Sequence, residues 1–144
     1  MILFLDTSAL VKLYLDEPGS DSIRERITDS TVALSHVAYG EIYATFARRF
    51  RESLLKENEH NAVCMAFEED WSAVFRIPLS VEVLSKVPAL CRRHPLRGAD
   101  ALHIASALML VEREIDTTFV SSDLRQLEAA TAEGMATFDP AVPR

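Results

Sequence analysis

Short apolar runs alternate with longer, mixed stretches along the whole chain. Residues 2–5, Ile-Leu-Phe-Leu, are continuously apolar, as a strand buried on both faces must be. Residues 31–34, 75–79 and 117–121 have the same character, and residues 136–138 read as a short last strand. Between these runs the spacing predicts helices. The first opens at Asp6-Thr7-Ser8 and runs to about Leu15; the others cover residues 21–28, 36–52, 57–72, 81–93, 99–113 and 123–133. Ser20, Ser35 and Ser80 stand where N-caps belong. Glu17-Pro18-Gly19 is a turn and His94-Pro95-Leu96-Arg97-Gly98 a loop.

Strands alternating with helices imply βαβ units, hence an α/β fold with a parallel sheet covered on both sides. Two helices without a strand between them, over residues 36–72, form a helical-pair insertion. No linker or repeat interrupts the pattern, so residues 1–144 read as one domain.

The chain is 49% hydrophobic and 26% charged, with only four glycines and six prolines, which excludes a disordered or fibrous protein. A formal charge of −7 disfavours a protein that coats nucleic acid by neutralising phosphate. It does not exclude a nuclease, because cations held among carboxylates reverse the local sign that phosphate meets. The acidity also suits a basic partner protein. Cys64 and Cys91 show no zinc-ligand spacing and read as reduced thiols. The N-terminus lacks a basic leader, and the longest greasy stretch, residues 104–111, falls far short of a membrane span. A cytoplasmic location is expected.

Four acids carry the candidate chemistry: Asp6, Glu41, Asp100 and Asp123. Asp6 and Asp123 each follow an apolar strand at the mouth of a loop entering a helix, where open α/β sheets bind ligands. Both also read as helix caps, although Thr7, Ser8 and Ser122 are alternative cappers. Asp100 suits the first turn of its helix, where acids complement the helix dipole. Glu41 is different. It lies too deep for capping, and its helical neighbours Val37, Ala38, Ala44 and Thr45 include no cation. Four hard oxygen donors suit Mg²⁺ or Mn²⁺, which can activate water for phosphoryl displacement. No Gly-x-Ser-x-Gly elbow, P-loop, dinucleotide fingerprint or His-Glu-x-x-His is present.

Other residues have two readings each. His103, one turn after Asp100, is either a base or a helix-face histidine bonded to its surroundings. Arg48, Arg49, Arg51 and Lys56 form one basic island, and Arg92, Arg93 and Arg97 another. They are RNA guides or solvated faces, with Arg97 best placed because it adjoins Asp100. Phe67 and Trp71 read as core; Tyr39, Tyr43 and Phe46 as packing, or as a groove for a partner.

The segments Leu5-Asp6-Thr7-Ser8-Ala9-Leu10-Val11-Lys12, Glu41, Gly98-Ala99-Asp100-Ala101-Leu102-His103-Ile104-Ala105, Val120-Ser121-Ser122-Asp123 and Phe138-Asp139-Pro140 together resemble the PIN-domain family. Within it they most resemble the VapC-type toxins of toxin–antitoxin pairs. The resemblance spans essentially the whole chain. It implies a three-layer Rossmann-like fold with about five parallel strands in the order 3-2-1-4-5. It implies a Mg²⁺- or Mn²⁺-dependent endoribonuclease, with Asp6, Glu41, Asp100 and Asp123 as catalytic and metal-binding acids supported by Ser121 and Thr7. It also implies an RNA substrate, a homodimer and a VapB-type antitoxin partner. From the basic islands, Arg97, Arg48 and Arg49 are the expected substrate contacts. Gln126 and Leu127 stand where some PIN proteins place a further acid.

Two rival enzymes share features. A PIN-type RNA-maturation nuclease would have no antitoxin. A haloacid-dehalogenase-type phosphatase also places an Asp after its first strand but needs a second two residues on, where Ser8 stands here. A binding protein that has lost catalysis is disfavoured by the presence of all four acids.

Overall fold

The structure is a computed structural model and describes residues 1–143. In chain order the elements are β1 (Ile2–Leu5), α1 (Thr7–Leu10) continuing into a 3-10 turn (Val11–Leu13), α2 (Ser20–Ile27), β2 (Thr31–Ser35), α3 (Val37–Arg51), α4 (Glu57–Trp71), β3 (Phe75–Ile77), α5 (Val81–Arg93), α6 (Gly98–Glu112), β4 (Thr117–Val120), α7 (Leu124–Ala132) and β5 (Ala136–Phe138). The five strands form one sheet in the order β3-β2-β1-β4-β5, and every ladder is parallel. The expected α/β fold and strand order are therefore present.

The apolar runs at β1 and β4 follow from burial on both faces. Successive strand side chains point to opposite sides, so Phe4 enters one core while Leu3 and Leu5 enter the other. Phe4 and Phe119 join α5, α6 and α7 on the first side. Leu3, Leu5 and Val120 meet α1, α2, α3 and Phe67 of α4 on the second. The helical pair α3–α4 thus belongs to the second layer, through Ile42, Phe46 and Phe67.

Helix α6 shows no polar stripe because it is buried nearly all round, with Ala101, Ile104, Ala105, Ala107 and Leu110 in the core. It carries Asp100, His103 and Ser106 inward with them. Buried polar groups need partners, and those partners define the site described below.

Local expectations fail at four places. The first helix stops at Leu10 and tightens into a 3-10 turn instead of reaching Leu15. Ser20 is the first helical residue, not the cap. Gly19, at φ 95°, takes the cap position, while the Ser20 hydroxyl donates to the Leu15 carbonyl and accepts from the Glu17 amide. Ser35 ends β2 and accepts from the Val37 amide, one position before the helix cap His36. β3 ends at Ile77 because Pro78 has no N–H to extend a ladder. Ser80 caps α5 as expected, accepting from Val83.

Gly19 has a second duty. A Cβ there would come within 2.6 Å of the Pro140 carbonyl oxygen, so the glycine seats the C-terminal segment. Both cysteines are free. Among the described residues, no helix is long and apolar enough to cross a membrane.

Candidate active site

The four acids come to the carboxyl end of the sheet through different elements. Asp6 follows β1, and its amide donates to the Val120 carbonyl at 3.1 Å, prolonging the β1–β4 ladder by one bond. Its carboxylate caps α1 by accepting from the Ala9 amide at 2.9 Å. The cap therefore falls on the candidate acid itself, and neither Thr7 nor Ser8 substitutes for it.

Asp6 is 1% exposed. The Ser121 hydroxyl donates to it at 2.7 Å and the Ser8 hydroxyl at 2.8 Å. Among the described residues no Lys or Arg is paired with it. Burial pushes its carboxyl above the ordinary range. His103, Ser121, Ala9 and Ser8 pull the other way without offsetting it.

Ser121 reaches further. Its hydroxyl accepts from the Asp123 amide at 2.9 Å, joining the first acid to the last. Ser8 makes a parallel tie by accepting from the Ser122 amide at 2.9 Å. Asp123 caps α7 through Arg125, and Ser122, the alternative capper, donates instead to Asp139.

On the other side, α3 carries Glu41 and α6 carries Asp100 and His103. His103 is 1% exposed, and its Nε2 lies 2.6 Å from Glu41 Oε1. The Thr7 hydroxyl donates to the same oxygen at 2.7 Å. The polar partner that Glu41 lacks along its own helix thus arrives from a residue 62 positions away. Burial pushes the Glu41 carboxyl up, but the bond and charge of His103, with Thr7, more than offset it and hold it below the usual range.

Asp100 accepts from the Arg97 amide at 3.0 Å and from Gln126 Nε2 at 3.1 Å. It closes its own helix end and is also bound to α7. These bonds form three groups: Asp6 with Ser8, Ser121 and the Asp123 amide; Glu41 with Thr7 and His103; and Asp100 with the Arg97 amide and Gln126.

Ser8 and Gln126 are absent from the sequence-derived site. A Ser two residues after the strand acid was a readable sign for Ser8, since short hydroxyl side chains bond locally. Gln126 carried one too: it lies three residues into a helix capped by a site acid, on the side turned inward. His103 proves to be the bonded helix-face histidine of the second reading.

The arginines divide. Arg49 is paired with Glu17 at 2.7 Å, and Lys12 meets the same carboxylate at 3.2 Å. Arg48 and Arg97 are exposed. Tyr39 and Tyr43 pack on Phe67 at 5.8 and 5.7 Å, and Phe46 is fully buried, so this trio joins α3 to α4. An apolar cavity of about 390 Å³ lies nearby, lined by Leu13, Tyr14, Ile27, Phe67 and Trp71 among others. A larger one, about 810 Å³, opens between residues 16–22 and 140–143, and none of the four acids lines it. Chemistry, not cavity size, locates the candidate site.

The donor type, carboxylate oxygen, is the one a hard divalent cation takes. Among the described residues no three His, Cys, Asp or Glu side chains stand close enough to enclose an ion jointly. A cation at this site would be held by one or two carboxylates, with water completing its shell, as Mg²⁺ often is.

The PIN domain profile matches residues 3–132. This chain belongs to the PIN-domain family. It is 38% identical over 109 residues to ribonuclease VapC45 of Mycobacterium tuberculosis (strain CDC 1551 / Oshkosh), covering 74% of this chain and 75% of that protein. The same figures hold for ribonuclease VapC49 of Mycobacterium tuberculosis (strain ATCC 25618 / H37Rv). Among solved structures, VapBC2 from Rickettsia felis, bound to a promoter DNA fragment, is similar with a TM-score of 0.68 and 16% identity, covering 96% of this chain and 98% of that one. FitAcB from Neisseria gonorrhoeae gives 0.69 and 19%, covering 97% and 98%. At such identities these two show the PIN fold alone.

Proposed function

We infer that this chain is an endoribonuclease, the toxin of a VapBC-type toxin–antitoxin pair, and that it hydrolyses RNA phosphodiester bonds with a divalent cation. The single observation that carries the chemistry is Asp6: a fully buried carboxylate at the carboxyl end of the central strand, tied through Ser121 to Asp123 and, among the described residues, without a Lys or Arg partner. The two curated relatives are ribonucleases by name, which supports RNA as substrate. The structural neighbours include toxin–antitoxin complexes, which supports an antitoxin as partner.

Asp6, Glu41, Asp100 and Asp123 would hold Mg²⁺ or Mn²⁺, some directly and some through water. When bound, such an ion lowers the pKa of water and neutralises charge developing on the phosphate. The chain's own residues prepare the ground. Ser121 and Ser8 fix the Asp6 oxygens, and Ser121 also fixes the backbone at Asp123. Thr7 and His103 fix Glu41, and Gln126 and Arg97 fix Asp100. Arg97 and Arg48, both exposed, are the side chains assigned to RNA phosphate, with Arg49 held back by Glu17.

The test is RNA cleavage by the purified chain in Mg²⁺ and in EDTA. Cleavage only with the metal, together with a raised thermal midpoint at millimolar Mn²⁺, is the expected result. Equal cleavage in EDTA would rule out the metal.

A further inference from the structure

The hydrogen bonds on the four acids are not evenly shared between oxygens. A carboxylate oxygen has two lone pairs. On Glu41 both donors fall on Oε1, Thr7 Oγ1 at 2.7 Å and His103 Nε2 at 2.6 Å, and none falls on Oε2. On Asp6 the donors reach both oxygens: Ala9 and Ser8 on Oδ1, Ser121 and Ser8 on Oδ2. On Asp100 each oxygen has one donor. On Asp123 one donor, the Arg125 amide, falls on Oδ1. Among the described residues Glu41 is therefore the acid with two donors crowded on one oxygen and none on the other.

The two donors come from different elements, α1 and α6, and converge on a side chain from a third, α3. His103 Nε2 also lies 3.3 Å from Thr7 Oγ1, so the two donors touch each other as well as Glu41. His103 Nδ1 is buried without a partner, a cost borne while Nε2 holds Glu41. Glutamate has enough rotatable bonds to offer either one or both oxygens to a cation. A saturated Oε1 leaves it one.

We propose that Thr7 and His103 form a clamp on Glu41 Oε1 that limits this acid to one-oxygen contact and so tunes the site for Mg²⁺ or Mn²⁺ against Ca²⁺. Ca²⁺ takes carboxylates by both oxygens in a loose shell; Mg²⁺ demands a compact octahedral one, filled largely by waters. His103 is here a positioning residue that acts through Glu41. The proposal rests on the reading of the acids as a metal site.

The experiment is calorimetry of the purified full chain with Mn²⁺ and with Ca²⁺ separately, at one pH, comparing the parent with His103→Ala, His103→Gln and Thr7→Val. Each variant's melting is recorded beside the parent's. Loss of such a supporting bond weakens metal binding by about 10–100-fold in other sites. Here the expected signature is a fall in the preference for Mn²⁺ over Ca²⁺ by about tenfold in His103→Ala and Thr7→Val, with His103→Gln restoring it through its amide donor. An unchanged preference in folded His103→Ala and Thr7→Val would overturn the clamp while leaving the metal site standing. A parent that binds neither cation would overturn both. If His103→Ala does not fold, Thr7→Val decides alone.

Discussion

Asp6 and Glu41 are carboxylates of one site, yet their surroundings act on them in opposite directions. Asp6 sits at the end of the central strand, buried, with hydroxyl and amide donors and no bond to His103, whose charge acts on it only at a distance, and burial pushes its carboxyl up. Glu41 sits mid-helix, partly open to solvent, with His103 against it, and is held down despite its burial. The strand side thus carries an unrelieved electrostatic cost, and the helix side carries its own relief. A divalent cation gains most where charge is uncompensated. The contrast locates the cation's largest benefit at Asp6 and gives Glu41 the role of a pre-set, one-oxygen partner.

The largest expected effect that sharpens this contrast is on cleavage. Glu41→Gln and Asp123→Asn should each cost on the order of 10²–10³-fold in kcat, since a metal ion supplies several kcal/mol of transition-state stabilisation. Single-turnover rates on a short RNA measure it. Parental rates in either variant would remove that acid from the site.

Next in size is stability on the strand side. Ser121→Ala removes donors from a buried carboxylate and a partner from the Asp123 amide. It should lower unfolding free energy by about 1–3 kcal/mol, read from urea titration. The matching change on the helix side, Gln126→Ala, takes one neutral donor from Asp100 and should cost about 0.5–1.5 kcal/mol. A larger loss at Gln126 than at Ser121 would reverse the comparison.

The smallest effect is the most diagnostic in sign. Because Asp6 is raised in the folded protein, the folded state binds the extra proton, and stability falls as pH rises above about 3.8 toward the raised value. Because Glu41 is lowered, its contribution is complete above about 4.5 and is lost as pH falls below it. In EDTA, Asp6→Asn should therefore gain on the parent as pH rises above about 3.8. Glu41→Gln should lose ground as pH rises through the range below 4.5. Melting curves across pH measure both, and slopes of the same sign would break the distinction between the two acids.

The sheet was readable because its strands are short, apolar and buried on both faces, so Ile2–Leu5 and Thr117–Val120 announce themselves without tertiary information. The acids at strand ends were readable for the same reason: Asp6 and Asp123 punctuate those runs. The partners of Glu41 were not. Its apparent isolation came from inspecting i±3 and i±4 on one helix, whereas the compensating group approaches from α6 across the layer. The turn at Pro18-Gly19 is present, but the cap falls on Gly19 and not on Ser20; the left-handed backbone and the close approach of Pro140 decide the geometry there. The first helix was overextended because Val11, Lys12 and Leu13 fit a helical pattern, while the chain tightens into a 3-10 turn.

The most direct measurement of the central claim is RNA cleavage by metal-stripped parent and metal-stripped Asp6→Asn while Mn²⁺ is titrated in. The asparagine keeps an oxygen that can accept from Ala9, so the α1 cap can persist and the fold can be checked by its melting curve. A metal held at the buried strand-end acid predicts that the parent recovers cleavage with rising Mn²⁺ and that Asp6→Asn, though folded, stays silent throughout. Parental cleavage by Asp6→Asn at any point of that titration would contradict it.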